Sequence, residues 1–432
     1  MIKKDLIKEL IRDFQTRNLP KVNKRLVSLP FNPGKIVSIT GVRRSGKTFL
    51  MYDLISDLTS KNIKKENIVY INFEDERLDM DLADLDLIIQ SYRELFPTID
   101  LKNVYFFFDE IQNIQNWEKF VRRIDDSASQ NIYITGSNAH FLSSEIATTL
   151  RGRSINYEVF PLTFKEYLDF LTIPYDLHDP TNKAKISNCF KNFLLEGGFP
   201  ETVPLAKEIK TKTLQEYFDV MLYRDMVERY HITNLPVLKY FIKRIFESIT
   251  KPLSINKIYN ELKSQGYKIG KNLLYDFIDE AESVYLALSL RKYSNSILKR
   301  ELSEKKYYCI DNGLLNAITY YFTNDYGKLL ENLIFLELKK GGKDISFLKN
   351  IKECDFLITE KEEIKSIIQV SYSLADHETK KREIEALCYV CKSLKKEEGL
   401  ILTFDEQDII IKNGIKISIM PAYKYLLKNL ER

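Results

Sequence analysis

The stretch Gly41-Val42-Arg43-Arg44-Ser45-Gly46-Lys47-Thr48 places two glycines either side of four residues and follows them with an amine and a hydroxyl. Glycine tolerates the positive φ a tight curl demands, so backbone N–H groups from Val42 through Phe49 can converge on phosphate oxygens. A helix beginning at this point adds partial positive charge at its N-terminus. Lys47 would reach β- and γ-phosphates, and the Thr48 hydroxyl would ligate Mg2+. The spacing therefore predicts a site for ATP and Mg2+. A second segment, VYFFFDEIQ, ends an apolar run in two carboxylates. Asp109 is expected to hold the magnesium shell, and Glu110 to orient and deprotonate an attacking water. A third, NIYITGSNAHF, ends in Ser137 and Asn138; either senses a γ-phosphate or holds the water, or is simply a turn residue after a strand. In LRGRS, Arg151 and Arg153 are either fingers into a neighbouring subunit's site or a solvated surface pair.

These side chains need elements to position them. Up to about residue 160, short apolar runs alternate with amphipathic stretches, which predicts a parallel sheet covered by helices. The expected strands are Ile36 to Thr40, Ile68 to Phe73, Val104 to Asp109, Asn131 to Thr135 and Ile155 to Phe160. After Thr48, the residues Phe49, Leu50, Leu54 and Ile55 predict one apolar helix face. The pattern then turns helical: Thr163 and Glu166 form a capping box, Gly197, Gly198 and Pro200 interrupt, and a long helix is expected from Lys212 to Tyr230. Ser254 caps a helix carrying Ile255, Ile258 and Leu262, and a turn at Gly266 leads into a second with Leu273, Leu274, Phe277 and Ile278. Strands at Val284 to Leu290 and Lys306 to Ile310 complete a winged-helix pattern. The remainder reads as α/β, with strands at Cys354 to Thr359, Ile364 to Val370, Gly399 to Thr403 and Ile415 to Met420 around a helix from Lys380 to Lys395.

The bulk composition narrows the class. A chain of 432 residues exceeds a single core, and 44% hydrophobic with 29% charged residues is a globular balance. A net charge of +4 excludes a uniformly basic nucleic-acid coat while permitting a local basic face. The absence of a membrane-length apolar run and of a secretory start predicts a cytoplasmic protein with no membrane partner. Cys388 and Cys391 form a lone CxxC one helical turn apart beside Leu387 and Val390, a pattern of core packing rather than metal binding. The four histidines are isolated.

The order of glycine loop, acidic strand end, polar strand end and arginine resembles AAA+ ATPases. The closer resemblance is to prokaryotic, often archaeal, ATPases that join an AAA+ domain to a helical lid, a winged helix and a C-terminal domain similar to restriction endonucleases. GVRRSGKT, YINFEDERL, LRGRSINYEVFPLTFKEYL, EGGFPE, LYRDMVERY and the IDNGLL to QVSYSL region carry it. The resemblance implies an ATPase domain at 1–160, a lid at 161–235, a winged helix at 236–312 and a degenerate nuclease-like domain at 313–432. It also implies a homo-oligomer, roles linked to DNA, and a lid contact to the γ-phosphate from Arg224.

Nucleases of that fold need carboxylates for a metal and a lysine beside the attacking water. Glu331 and Asp355 fit two carboxylate positions, but Gln369 lacks the third charge and Ser371 cannot replace an ammonium. Lys380, Lys381 or Arg382 are the candidates to reach in from the next helix. Nuclease activity is not expected. Asp276, Asp279, Glu280 and Glu282 on the second helix of the winged-helix pattern would repel phosphates, leaving Lys271, Asn272, Lys299, Arg300, Lys305 and Lys306 for backbone contact. The sequence thus predicts an oligomeric ATPase acting on DNA or a DNA-associated partner. Its alternative is a nucleotide-gated switch that hydrolyses slowly and acts by protein binding.

Overall fold

An apolar run without polar alternation has to be buried on both faces, and VYFFFD forms such a strand. The computed structural model describes residues 2–137, 149–294, 296–319 and 325–428. Its chain divides into two compact units, Met1–Phe160 and Pro161–Arg432. The first contains β1 (Ile36–Thr40), β2 (Ile68–Asn72), β3 (Tyr105–Asp109), β4 (Ile132–Gly136) and β5 (Ser154–Glu158), in the order β2-β3-β4-β1-β5 with every pairing parallel. Phe106 and Phe108 face one core with Trp117, Phe120 and Ile124 of α4 (Trp117–Ser127). Tyr105 and Phe107 face the other, with Leu50, Met51, Leu54 and Ile55 of α2 (Lys47–Ser60). Helices α1 (Ile2–Thr16) and α3 (Asp86–Leu95) complete the first face.

The strands match the predicted cores, with ends moved by one or two residues. Phe49 departs from expectation: at 48% exposure it lies off the buried face of α2, which Leu50, Met51, Leu54, Ile55 and Leu58 supply.

The second unit opens with α5 (Phe164–Phe170), whose capping box between Thr163 and Glu166 is present. α6 (Pro180–Glu196) follows, then α7 (Lys207–Val220), which continues as π-helix over Met221–Glu228. The long helix thus starts earlier than predicted and ends in widened turns. Next come α8 (Leu235–Glu247), α9 (Ile255–Ser264) and α10 (Lys271–Ser283). A hairpin of β6 (Leu288–Leu290) and β7 (Lys306–Tyr308) encloses a short α11 (Ile297–Leu302). The first hairpin strand is shorter than predicted because Tyr285 takes φ 63° and Leu286 N–H still bonds back to Ala281.

After α12 (Asn312–Ile318) and α13 (Tyr326–Lys340), a mixed six-stranded sheet closes the chain. It contains β8 (Asp344–Lys349), β9 (Glu353–Glu360), β10 (Glu363–Val370), β11 (Glu398–Thr403), β12 (Asp408–Lys412) and β13 (Ile415–Pro421), ordered β12-β13-β11-β10-β9-β8. α14 (His377–Ser393) packs Leu387, Cys388, Val390 and Cys391 into this sheet's core; α15 (Ala422–Lys428) ends the described chain. β8 and β12 form the two edges of this sheet and lie outside the expected strands; β12 carries the apolar run Ile409, Ile410 and Ile411, of which Ile409 and Ile411 are exposed.

Candidate functional site

The order β3-β4-β1 gathers the C-terminal ends of three strands, so the loop after β1 meets the acidic end of β3 and the polar end of β4. Gly41 is indispensable to that loop. Its φ is +147°, and a Cβ there would sit 2.0 Å from the Val159 carbonyl oxygen. Gly46 caps α2 at φ 99°, and Arg44 takes φ 66° between them. Val42 and Ser45 are buried, whereas Arg44 is exposed. Arg43 extends to Glu74, 2.8 Å away.

Lys47 is 4% exposed and folds over its own loop, donating to the Gly41 and Val42 carbonyls at 3.2 and 3.3 Å. It also pairs with Glu110 at 3.4 Å. Asp109 is the hub of the next layer. Its Oδ2 accepts from Thr48 at 2.8 Å and from the Tyr70 hydroxyl at 2.7 Å, and its Oδ1 accepts from Thr135. Thr135 Oγ1 in turn accepts from the Glu110 N–H at 2.8 Å, which fixes Glu110 in the left-handed region at φ 52°. That backbone turn swings the Glu110 side chain towards Lys47 and Gln112.

The two carboxyls are tuned in opposite directions. Burial, then the adjacent Glu110 charge, raises Asp109, against the pull of its three hydroxyl donors. Burial would raise Glu110 as well, but the Lys47 ammonium, the Gln112 amide and Arg43 outweigh it and hold the carboxyl below its usual range. Glu110 is therefore ionised and can accept a proton.

The residues fit a phosphate-bearing ligand and a divalent cation on an observation independent of the motif. The buried hydroxyls of Thr40, Ser45 and Ser137, at the end of β1, in the loop and just after β4, have no hydrogen-bond partner among the described residues. Buried polar groups are rarely left so, and three around one glycine cradle leave it short of a polar ligand.

Asn138 lies outside the described residues. Arg151 is exposed at φ 51°, whereas Arg153 pairs with Asp125 at 3.6 Å and with Asp126 on α4. Arg224 is exposed on the π-helical turns of the second unit. Two residues absent from the sequence reading belong to the site's support. Arg25 donates to the carbonyls of Ser45 and Phe160, 2.8 Å each, tying the loop to the end of the β5 segment. Tyr70 on β2 braces Asp109. Nothing in RNLPKVNKRLVSLP singles out Arg25; Tyr70 could have been found as the polar-tipped residue of β2 facing the α2 side.

A model described as an AAA domain matches residues 33–168, and one described as a domain of unknown function (DUF8612) matches residues 188–325. Uncharacterized protein MJ1544 of Methanocaldococcus jannaschii is 36% identical over 441 residues, covering 98% of this chain and 96% of that protein. An uncharacterized protein of Haemophilus influenzae is 30% identical over 346 residues, covering 79% of this chain and 84% of its own. Among solved structures, a Walker-type ATPase of Pyrococcus abyssi aligns at 14% identity and TM-score 0.41, covering 73% of this chain and 95% of that one. The Aeropyrum pernix ORC1 protein, solved in complex with DNA, aligns at 11% identity and TM-score 0.30, covering 74% and 92%.

Proposed function

This chain belongs to the family of its M. jannaschii and H. influenzae relatives and carries an AAA domain; we propose that it is a magnesium-dependent ATPase that assembles with copies of itself and drives conformational work on DNA or a DNA-associated partner. The observation that carries the reading is the Asp109 hub: one carboxylate joins Thr48 of the glycine loop, Tyr70 of β2 and Thr135 of β4, and so sets Glu110 beside Lys47.

In this reading the N–H groups of the Gly41 to Phe49 segment cradle the phosphates, and Lys47 leaves its loop carbonyls to neutralise the β- and γ-phosphates. Thr48 and Asp109 would hold a magnesium ion, which would supply positive charge against the phosphate oxygens. Glu110, released from Lys47, takes the proton of the attacking water. Asn138 senses the γ-phosphate, Arg224 contacts it from the lid, and Arg151 serves a neighbouring subunit. Arg151 is preferred to Arg153 because the latter's guanidinium is held by Asp125 and Asp126. Residues 161–235 act as the lid, 236–312 as a winged helix and 313–432 as a degenerate nuclease-like domain.

The Lys47–Glu110 pair favours a second reading, a nucleotide-gated switch, because phosphate and Glu110 compete for one ammonium. Steady-state ATP hydrolysis with and without a panel of duplex and single-stranded DNA and RNA tests both. The motor reading expects magnesium-dependent turnover stimulated by polynucleotide. Slow turnover indifferent to polynucleotide, with nucleotide retained through purification, hands the case to the switch.

A further inference from the structure

Strand alternation decides where the residues of β7 and β9 point. Lys306 and Tyr308 share one face of β7, and Glu353 and Asp355 share one face of β9. The two faces meet across Glu331 of α13. Lys306, expected in an exposed wing, is 1% exposed, and its ammonium lies 3.0 Å from Glu353, 3.2 Å from Glu331 and 3.3 Å from Asp355. The Tyr308 hydroxyl donates to Glu331 at 2.8 Å. The cation sought on α14 therefore comes from the hairpin. Lys380 pairs with Asp408, Arg382 with Glu383, and Lys381 is exposed.

The remaining groups are spoken for. Asp355 Oδ2 accepts from the Val370 N–H at 3.0 Å. Gln369, where a metal-binding carboxylate would stand, accepts from the Asp355 N–H at 3.3 Å and donates to Glu383 at 2.9 Å. Among the described residues, no group of three or more His, Cys, Asp or Glu side chains is arranged to hold a metal ion. The residues do not fit the divalent cation that the nuclease resemblance implies.

We propose that Lys306 is the resident cation of this cluster: its ammonium fills the space between Glu331 and Asp355, keeps divalent metal out, and clamps the β6–β7 hairpin onto α13 and β9. The proposal is independent of the ATPase reading. A buried ammonium is tolerated only where acidic groups surround and compensate it, and here Glu331, Glu353 and Asp355 surround it. Because Lys306 and Asp355 are almost wholly buried, the cluster is closed to a polymer and serves as a joint.

Titration of Mn2+ into the full-length, nucleotide-free chain, followed by electron paramagnetic resonance, tests this. The intact chain and Asp355→Asn should leave the same free Mn2+ signal, since Asp355 holds no metal. Lys306→Met, similar in length and uncharged, should gain a Mn2+ site that Lys306→Met/Asp355→Asn loses. A site in the intact chain that Asp355→Asn abolishes overturns the proposal and makes Lys306 part of a working metal centre. A folded Lys306→Met chain that binds no additional Mn2+ overturns it too. Should Lys306→Met fail to fold, Lys306→Met/Glu331→Gln/Asp355→Asn, which removes the stranded charges together, is expected to restore a cooperative thermal transition. Failure of that variant as well overturns the clamp.

Discussion

Each unit buries a lysine among acids, Lys47 at 4% exposure and Lys306 at 1%, yet the two surroundings differ in kind. Lys47 has one carboxylate and two carbonyls of its own loop. Around it lie a glycine cradle and hydroxyls without partners among the described residues. Lys306 has three acidic neighbours, and the nearby Tyr308 hydroxyl and Gln369 amide each already donate to a carboxylate, Glu331 and Glu383. A buried lysine beside acids is therefore no sign of chemistry by itself. What separates a site awaiting a ligand from a finished joint is whether the surrounding polar groups are satisfied.

The sharpest way to break the comparison is to remove each key group of the first cluster. Lys47→Ala should abolish tight ATP binding in a fluorescent-nucleotide titration, because the cradle loses its fixed charge. Glu110→Gln should still bind ATP while hydrolysis falls by about 10²- to 10⁴-fold, the range for losing a general base. The sign of the tuning supports this. Against burial, Lys47, Gln112 and Arg43 hold Glu110 below its usual range, so the carboxyl is ionised and able to accept a proton. Near-normal turnover in Glu110→Gln would remove it from the mechanism.

Next in size comes the arginine contrast. Arg151→Ala should lower turnover by about 10³-fold or more with little change in binding, as expected of a finger acting across an interface. Arg153→Ala should do far less, since its ion pair with Asp126 lies at the surface, where solvent screening leaves it little influence. Mixing Arg151→Ala with Lys47→Ala chains should recover activity through one intact composite site. Mixtures shown to co-assemble yet remaining inactive would make Arg151 structural.

The second cluster should announce itself in stability rather than turnover. Burial and the Asp355 charge push Glu331 up to about 8, against the pull of Lys306 and Tyr308, from an ordinary 4.5. The folded chain then binds more protons than the unfolded one between those values. Glu331's own contribution to stability should fall as pH rises through that window, by up to about 1.4 kcal/mol per pH unit. Glu331→Gln keeps the shape and removes the titration, so its urea midpoint should depend less steeply on pH. Identical slopes for the two chains would place the proton elsewhere.

The first cluster was largely legible in the sequence; of the second, Glu331 and Asp355 were legible and Lys306 was not, for a physical reason. Gly41 to Thr48 is a contiguous segment whose geometry is set locally, and Asp109 and Glu110 end an apolar run that could only be a buried strand. Tyr70 and Arg25 reach the same site from separate segments, so tertiary folding alone brings them in. In the sequence Lys306 reads as a wing residue because a two-stranded hairpin does not disclose which face is covered. Lys306 and Tyr308 read as a wing until α13 and β9 are seen against them.

That correction changes what the hairpin can do to nucleic acid. With Lys306 sequestered, phosphate contact falls to Lys299 and Arg300, exposed on α11, and to the half-buried Lys305. Asp276 and Asp279 are exposed on α10, which opposes base reading in a major groove. The expected binding is weak, tolerant of sequence and steeply weakened by salt, each duplex phosphate contact contributing about −0.9 to the slope of log affinity against log salt. Lys299→Ala with Arg300→Ala should flatten that slope by roughly two and weaken unrelated duplexes alike. Lys306→Met, in a folded chain, should leave it unchanged, since its ammonium never meets solvent. Fluorescence titrations of several duplexes at graded salt measure all three chains. Equal slopes in the intact and doubly substituted chains would take DNA away from the hairpin, and a slope lowered by Lys306→Met would mean the ammonium leaves its carboxylates to bind phosphate.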